Sequence, residues 1–472
     1  MDSDPIAYPI GGAQAPRRPR VAIVGSGISG LAAAHTLTGL ADLTLFEAGD
    51  YFGGHTHTVD VTLPDASGRP TTFGVDTGFL VLNQRTYPNL QALFRQLDVA
   101  IVPSDMSFSV QAPGAGRHGG PLEWSGSDLS SVFAQRANLG NPRFWRMLAD
   151  IVRFNHLATR LAKRGDDLGD GSPLLQPLGE FLAQHRFSDA FRDWYLLPML
   201  GCIWSCPTDQ MLRFPVATLV RFCHNHGLIQ VTNRPQWYTV AGGARQYVQK
   251  IVARIPDARL NRPVRQVLRD GAGVRIVSDG AVERFDAVVL ACHSDQALAL
   301  LGEGARADER AVLGAIRYQP NRAVLHTDAS VMPTERKAWA AWNYARGVGA
   351  HAAAAQVCLH YWINRLQPLP TPQPVIVSLN PSTGIDPAQV IGDYGYDHPV
   401  FDLAAIRAQA QVPALQGQQQ TFFAGAWMGY GFHEDGLKAG LQAARALIDA
   451  HGLLPQAGEA AARRAALPGV FA

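Results

Sequence analysis

The first strong hydrophobic signal along the chain is Val21-Ala22-Ile23-Val24, which breaks at Gly25-Ser26-Gly27-Ile28-Ser29-Gly30 and resumes as Leu31-Ala32-Ala33-Ala34-His35-Thr36-Leu37. A short β-branched run, a glycine turn and an alanine-rich apolar stretch predict a buried strand followed by a helix packed close to it, the first half of a βαβ unit. The stretch from Val21 to Ala41 is almost free of charge and follows Arg17, Arg18 and Arg20, the profile of a signal sequence or a membrane span. Its glycines would weaken a spanning helix and have a better use in the turn. No other stretch is apolar for long enough to cross a bilayer. The expectation is a soluble, cytoplasmic protein, or at most one held peripherally at the inner membrane.

The pattern then changes several times. Residues 1–19 and 455–472 are rich in Gly, Pro and Ala without periodicity and read as tails. Residues 20–83 carry the strand, turn and helix and a second apolar strand, Leu43-Thr44-Leu45-Phe46-Glu47. Over 84–233 the pattern is mainly helical, with Phe144, Met147, Leu148, Ile151, Val152, Leu157 and Leu161 at helical spacing. Strand patterns return within 234–295, at Val264 to Val267, Val274 to Val277 and Ala287 to Leu290. Residues 296–417 are mixed and include the strand-like run Val375-Ile376-Val377-Ser378-Leu379, and 418–454 hold Thr421-Phe422-Phe423-Ala424-Gly425 and a helix from His433 to about Ala450.

Composition narrows the class. The chain has 472 residues, 47% hydrophobic and 17% charged, enough for two or three lobes with sizeable cores. Its 41 Lys and Arg against 39 Asp and Glu are scattered without a basic stripe, which excludes nucleic acid as the expected partner. Five cysteines, none in a CxxC pair, make neither a disulfide framework nor a zinc site, so no metal is expected. Cys202 and Cys206, four apart, read as reduced and buried on one helical face.

The glycines at 25, 27 and 30 suit a tight turn, close approach of a pyrophosphate and close helix packing, with the helix N-terminus toward the phosphates. Glu47 ends the next strand 22 residues after Gly25, where a carboxylate accepts hydrogen bonds from a free ribose diol. Six residues beyond Glu47 comes the doublet Gly53-Gly54, followed by His55-Thr56-His57-Thr58. Three further blocks follow: Val75-Asp76-Thr77-Gly78-Phe79-Leu80-Val81-Leu82-Asn83; Val264 to Val267 with Phe285-Asp286-Ala287-Val288-Val289-Leu290-Ala291; and Phe422-Phe423-Ala424-Gly425-Ala426-Trp427 with Gly429-Tyr430-Gly431-Phe432-His433-Glu434-Asp435-Gly436-Leu437.

In this order, across nearly the whole chain, these blocks resemble the flavin amine oxidase and phytoene-desaturase-like superfamily. The resemblance implies an α/β fold: a Rossmann-like FAD-binding domain of the glutathione-reductase type, assembled from 20–83, 234–295 and 418–454. Interleaved with it would be an α+β, amine-oxidase-like substrate domain from 84–233 and 296–417. It implies FAD, contacted by Gly25, Ser26, Gly27, Ile28, Ser29, Gly30, Glu47 and Ala48, by Gly53, Gly54, His55 and Thr56, and by Thr77, Gly78 and Phe79 beside flavin N5. Val264 would meet adenine through its backbone; Gly425, Ala426, Phe432, Glu434, Asp435 and Gly436 would complete the site. The helix start near Asp435 would set positive dipole density at the flavin N1/C2 carbonyl. Three departures stand out: Tyr51 stands where the family commonly has a basic residue, His55 occupies the place of its usual arginine, and Ala426 that of its usual aspartate. No cysteine lies between Gly425 and Gly436, so a cysteinyl flavin link is not supported, and His55 and His433 read as packed or hydrogen-bonded imidazoles rather than attachment points.

Further segments resemble one bacterial branch of the superfamily, often encoded beside cyclopropane-fatty-acid-synthase-like methyltransferases: Thr86-Tyr87-Pro88-Asn89-Leu90, Asn225-His226-Gly227-Leu228, Ala341-Trp342-Asn343-Tyr344 and Tyr361-Trp362-Ile363-Asn364. That resemblance implies redox chemistry on unsaturated acyl chains, and a methyltransferase as a partner. Independently, the pocket candidates are aromatic, with no carboxylate pair to hold an alkylammonium. The expected reaction removes hydride from a C–H bond, with Tyr430 and His433 as candidates for the proton. An amine or porphyrinogen oxidase and a non-catalytic flavoprotein scaffold remain open as alternatives. Arg143 to Arg164 predicts a basic amphipathic helix, either lying on anionic lipid or capping the substrate lobe with its arginines solvated.

Overall fold

A computed structural model describes residues 17–163, 175–204, 207–229, 235–346, 357–382 and 384–453. At its centre is a five-stranded, all-parallel sheet in the order Asp257–Arg259, Asp42–Phe46, Arg20–Val24, Ala287–Leu290, Thr421–Phe423. Strands buried on both faces must be apolar at consecutive positions, and Val21 to Val24 and Ala287 to Leu290 meet that demand. Successive residues then go to different cores. Val21, Ile23, Leu45, Val289 and Phe422 pack on the side of two helices, Ile28–Leu37 and His433–Ala450. Ala22, Val24, Phe46, Leu290 and Phe423 face an antiparallel sheet of Val264–Arg269, Val274–Ser278 and Ala281–Phe285 and the helices Ser294–Leu301, Ala307–Leu313 and Leu403–Gln409.

Those first two helices touch almost backbone to backbone. A Cβ on Gly440 would stand 2.1 Å from the Ser29 carbonyl oxygen, and one on Gly436 2.8 Å from Ile28 Cγ2. Small residues at this crossing bring both helix N-termini to the same end of the parallel sheet, the carboxyl ends of its strands, where such folds bind ligands.

The second lobe is built on a seven-stranded sheet ordered Val390–Val400, Arg317–His326, Ile376–Leu379, Cys358–Trp362, Trp342–Ala345, Phe108–Ala112, Leu122–Ser125. A small sheet of Leu82–Asn83, Trp237–Val240 and Ile101–Ser104 and a hairpin of Thr58–Pro64 and Pro70–Asp76 lie between the motifs. Residues 84–233, expected to be mainly helical, thus also supply three strands. Phe108–Ala112 pairs with Trp342–Ala345 and Ile101–Ser104 with Trp237–Val240, partners so distant along the chain that local periodicity carries no trace of them. Helices dominate only from Pro142–Lys163 to Val216–Asn225. Cys202 is buried in the helix Leu197–Trp204, while Cys206, Arg164 and the expected tails apart from residues 17–19 lie outside the described residues.

Candidate active site

The glycine turn sits where the central strand ends. Gly25 has φ +101°, and a Cβ there would stand 2.8 Å from the Ala291 carbonyl; one on Gly30 would stand 1.9 Å from the Gly25 carbonyl. Both positions therefore require glycine for close packing of strand and helix. Gly27 is different: its Cβ would meet nothing within 4 Å, so the helix N-terminus opens onto free space. Ser26 ties the neighbouring motifs to this turn. Its N–H (3.0 Å) and hydroxyl (2.5 Å) donate to Glu47, and the Gly53 N–H donates to its hydroxyl at 3.1 Å. Glu47 also accepts from Gly49 N–H at 2.9 Å, while Ala48 is exposed beside it. Arg262 N–H donates to the Glu47 carbonyl, bringing the segment that leads to half-buried Val264 alongside the carboxylate.

The doublet crosses over the turn. Gly53 and Gly54 have φ +125° and +57°, and a Cβ on Gly54 would stand 3.2 Å from Gly27 Cα. Next comes His55, whose Nε2 is buried without a hydrogen-bond partner. Its ring faces Tyr396, His398 and His293 at centroid distances of 5.0, 5.5 and 6.3 Å. Burial first, then these histidines and His433, hold its pKa well below the ordinary imidazole value. The Thr77–Phe79 block lies against it: Phe79 N–H donates to the His55 carbonyl at 2.8 Å, and a Cβ on Gly78 would stand 2.2 Å from that same oxygen. Thr77 hydroxyl bonds Tyr396 at 2.7 Å and His57 Nδ1 at 3.1 Å.

The C-terminal motif closes the site from the other side. Ala426 lies 3.5 Å from the place of a Gly436 Cβ, and Ser29 Oγ 3.1 Å from it, so Ile28, Ser29, Ala426 and Gly436 converge between the two helix starts. Phe432 precedes the last helix, and Gly425 leaves no room for a side chain beside the Trp427 indole. Glu434 and Asp435, two of the expected cofactor contacts, direct their carboxylates into the fold. Glu434 accepts from Asn89 N–H (3.0 Å), Asn89 Nδ2 (2.7 Å) and Leu90 N–H (3.0 Å), capping the helix Pro88–Gln96. Asp435 accepts from Tyr430 N–H and Phe432 N–H, each at 3.1 Å. Buried carboxylates need donors, and the fold's own backbone N–H groups provide them. Burial raises the pKa of both against the pull of these bonds.

The proton-handling candidates adjoin this helix start. His433 stacks on Phe79 at 3.9 Å, and its Nε2 bonds Tyr247 hydroxyl at 2.7 Å, which in turn bonds Thr56 at 2.5 Å. Burial pushes its pKa down to about 3, so the imidazole is neutral, with Nε2 held by Tyr247. Tyr430 packs near Phe222, and its carbonyl accepts from the Trp204 indole at 3.4 Å.

The arrangement contains groups that sequence reasoning missed. Tyr247 lies one turn into a helix whose glycine-rich entry, Gly242-Gly243, was the available signal. Tyr396 and His398 share a strand face through the two-residue alternation, a signal present in the sequence. His226, quoted only as part of a branch segment, ends the helix Val216–Asn225 inside an aromatic wall. Phe222 stacks on it at 3.9 Å, and Phe432, Trp237 and Tyr87 lie at 5.6, 6.3 and 6.4 Å. His226 Nδ1 is 3.0 Å from the Phe222 carbonyl, which can only accept, so Nδ1 carries the proton and Nε2 keeps its lone pair. Burial lowers the pKa to about 4.

A parallel sheet with a glycine cradle at its carboxyl end, an acid at the end of the next strand tied to that cradle and a second helix start over the same space define a flavoprotein of the FAD-binding class. Two features of the chain fit that cofactor: the open face of Gly27 between the helix starts, and the orphaned Nε2 of His55 beside it. Comparison with known proteins agrees. The family model for flavin-containing amine oxidoreductases matches residues 28–339, and the chain belongs to that family. FAD is accordingly the expected cofactor. A Mycobacterium tuberculosis protein named as a flavin-containing monoamine oxidase, AofH, is 28% identical over 288 residues, covering 57% of this chain. The chain spans 56% of the length of that relative. Among solved structures, the CLA-producing fatty acid isomerase of P. acnes superposes with a TM-score of 0.60 at 18% identity, over 91% of this chain and 98% of that one. Cyclohexylamine oxidase of Brevibacterium oxydans gives 0.62 at 19% identity, over 92% and 99%. These two share the fold.

Proposed function

We propose that the protein is an FAD-dependent oxidoreductase that removes hydride from a C–H bond of an unsaturated fatty acyl chain. The observation that carries this reading is the character of the wall beside the last helix start: Tyr87, Phe222, His226, Trp237 and Phe432 are aromatic, and the two nearby carboxylates are turned away into backbone hydrogen bonds. An alkylammonium would find no free anion in this wall, whereas an acyl chain finds apolar surface. Bound FAD would supply the hydride acceptor. Within the chain, His226 Nε2 keeps a lone pair that can take the second proton, Phe79 and His433 form a stacked floor, and the aromatic wall excludes water. The structural likeness to a fatty acid isomerase is compatible with this substrate class, and the likeness to amine oxidases defines the competing one.

Access from a lipid surface completes the proposal. The helix Pro142–Lys163 buries Phe144, Met147, Phe154 and Ala158 but leaves Trp145 and Val152 about half exposed, at 49% and 51%. Trp145 holds Leu139 through its indole N–H, and Leu129 and Leu139 are 79% and 54% exposed. The helix's acid, Asp150, is turned inward, so its outward face carries Arg160 and Lys163 without an opposing anion from the same helix. Cations beside exposed apolar side chains suit an anionic lipid headgroup layer. No helix among the described residues is long and apolar enough to cross a membrane.

The test is an anaerobic titration of the holoprotein, following the oxidised flavin band. Phospholipids with monounsaturated chains should bleach it, and air should restore it. Bleaching by primary amines instead would replace this reading with amine oxidation, and a band that neither class bleaches would favour a scaffold.

A further inference from the structure

The cradle described above has open backbone donors but, among the described residues, a particular shortage of fixed positive charge. FAD brings a dianionic pyrophosphate, which must be neutralised on leaving water. The arginines whose backbones border the cradle are committed elsewhere. Arg245 pairs with Asp60; Arg259 with Asp257 at 2.7 Å and Glu283 at 2.5 Å; and Arg262 donates to the Asp279 carbonyl at 2.7 Å. Lys438, just beyond Gly436 on the last helix, is exposed.

Histidines stand there instead. His55 follows the doublet that crosses over Gly27, and its Nε2 is buried with no partner. His293 lies two residues beyond Ala291, whose carbonyl abuts Gly25. His398 reaches the same cluster from the long strand of the second lobe, with its Nδ1 3.1 Å from Asn321 Nδ2. An amide N–H can only donate, so His398 Nδ1 accepts and its Nε2 carries the proton. Around these rings stand Tyr396, Tyr318 stacked on His293 at 4.4 Å, and His433; Asp295 and Asp397 are the carboxylates that act on His293.

We infer that flavin binding by this protein is coupled to proton uptake, the cluster of His55, His293 and His398 taking a proton from solvent as the pyrophosphate enters. The inference rests on the FAD reading. In the free protein burial lowers the pKa of all three imidazoles, and neighbouring rings lower those of His55 and His398 further, while Asp295 and Asp397 pull that of His293 back up, so the cluster disfavours charge. A buried dianion reverses that balance, because opposite charge stabilises the imidazolium. The sign follows from linkage: the bound state holds more protons than the free state, so affinity rises as pH falls. For uptake of one proton the change is about tenfold per pH unit between the free and bound pKa values. No bond to the flavin is made or broken.

The experiment is calorimetric titration of apoprotein, prepared from the holoprotein, with FAD in two buffers of different ionisation enthalpy between pH 6 and 8. The buffer-dependent heat should report up to about one proton taken up per flavin, and Kd should weaken toward pH 8. His55→Arg, which carries a fixed charge, should bind FAD with its proton uptake and pH slope largely abolished; His55→Gln should bind more weakly and also with a flattened slope. His398→Gln serves as the second variant should either fold poorly by circular dichroism. Zero proton uptake by the wild type, or an unchanged slope in folded His55→Gln and His398→Gln, overturns the inference. Failure of the wild type to bind FAD at any pH would overturn the cofactor reading itself, a distinguishable result.

Discussion

Glu434 provides the sharpest separation between a cofactor ligand and a structural cap. Its side chain satisfies two of the orphan N–H groups in the first turn of the helix Pro88–Gln96 and the Asn89 amide, at 4% exposure. Glu434→Ala leaves those backbone donors unpaired at a buried helix start. Each unsatisfied group costs about 1–3 kcal/mol, and loss of a negative charge at a helix N-terminus adds about 0.3–1 kcal/mol. The raised pKa shows that burying the carboxylate is itself unfavourable, and removing it offsets part of that loss. The net expectation is about 2–4 kcal/mol. With an unfolding entropy near 2.1 cal/mol/K per residue, a chain of 472 residues has roughly 1 kcal/mol/K, so the Tm of the apoprotein should fall by about 2–4 °C if it unfolds as one unit. Differential scanning calorimetry without flavin reads this directly, and Glu434→Gln, which keeps one acceptor oxygen, should lose less. An unchanged apoprotein Tm together with tenfold weaker FAD binding would refute the capping assignment and return Glu434 to the cofactor.

Gly440→Ala would place a methyl group 2.1 Å from the Ser29 carbonyl, forcing the two helices apart; overpacking of this kind costs about 1–3 kcal/mol, and the variant should lose flavin on gel filtration that the wild type retains. His226→Gln should lower the rate of flavin reduction by about 10²–10⁴-fold while leaving the visible flavin spectrum and FAD Kd unchanged, and stopped-flow absorbance would show it; a normal rate would remove His226 as the proton acceptor. The wild type should co-sediment with phosphatidylglycerol vesicles more than with phosphatidylcholine vesicles, and the double variant Trp145→Ser, Leu139→Ser should lose that difference; equal sedimentation with both lipids would sink the membrane-face proposal.

The motifs that build the cofactor cradle were legible because their constraints are local. A buried parallel strand must be continuously apolar, as Val21 to Val24 is; a turn that passes under a carbonyl must be glycine, as at 25 and 30; and the closing helix His433–Ala450 shows its apolar face at helical spacing. Those requirements reside in a few consecutive residues, so the sequence states them without reference to the rest of the chain.

What the tertiary structure alone decided is which polar groups meet. Glu434 and Asp435 lie in a motif that suggested cofactor contact, and their carboxylates meet donors from Asn89 and Leu90, 344 or more residues away, and from Tyr430 and Phe432. His433 is engaged because Tyr247 arrives from another segment, and His226 is left with a free nitrogen because helix geometry sets Nδ1 against Phe222. The strands hidden in 84–233 and the gathering of His55, His293 and His398 have the same origin. Hydrogen-bond satisfaction and burial are properties of neighbours in space, and a linear pattern records only neighbours in sequence.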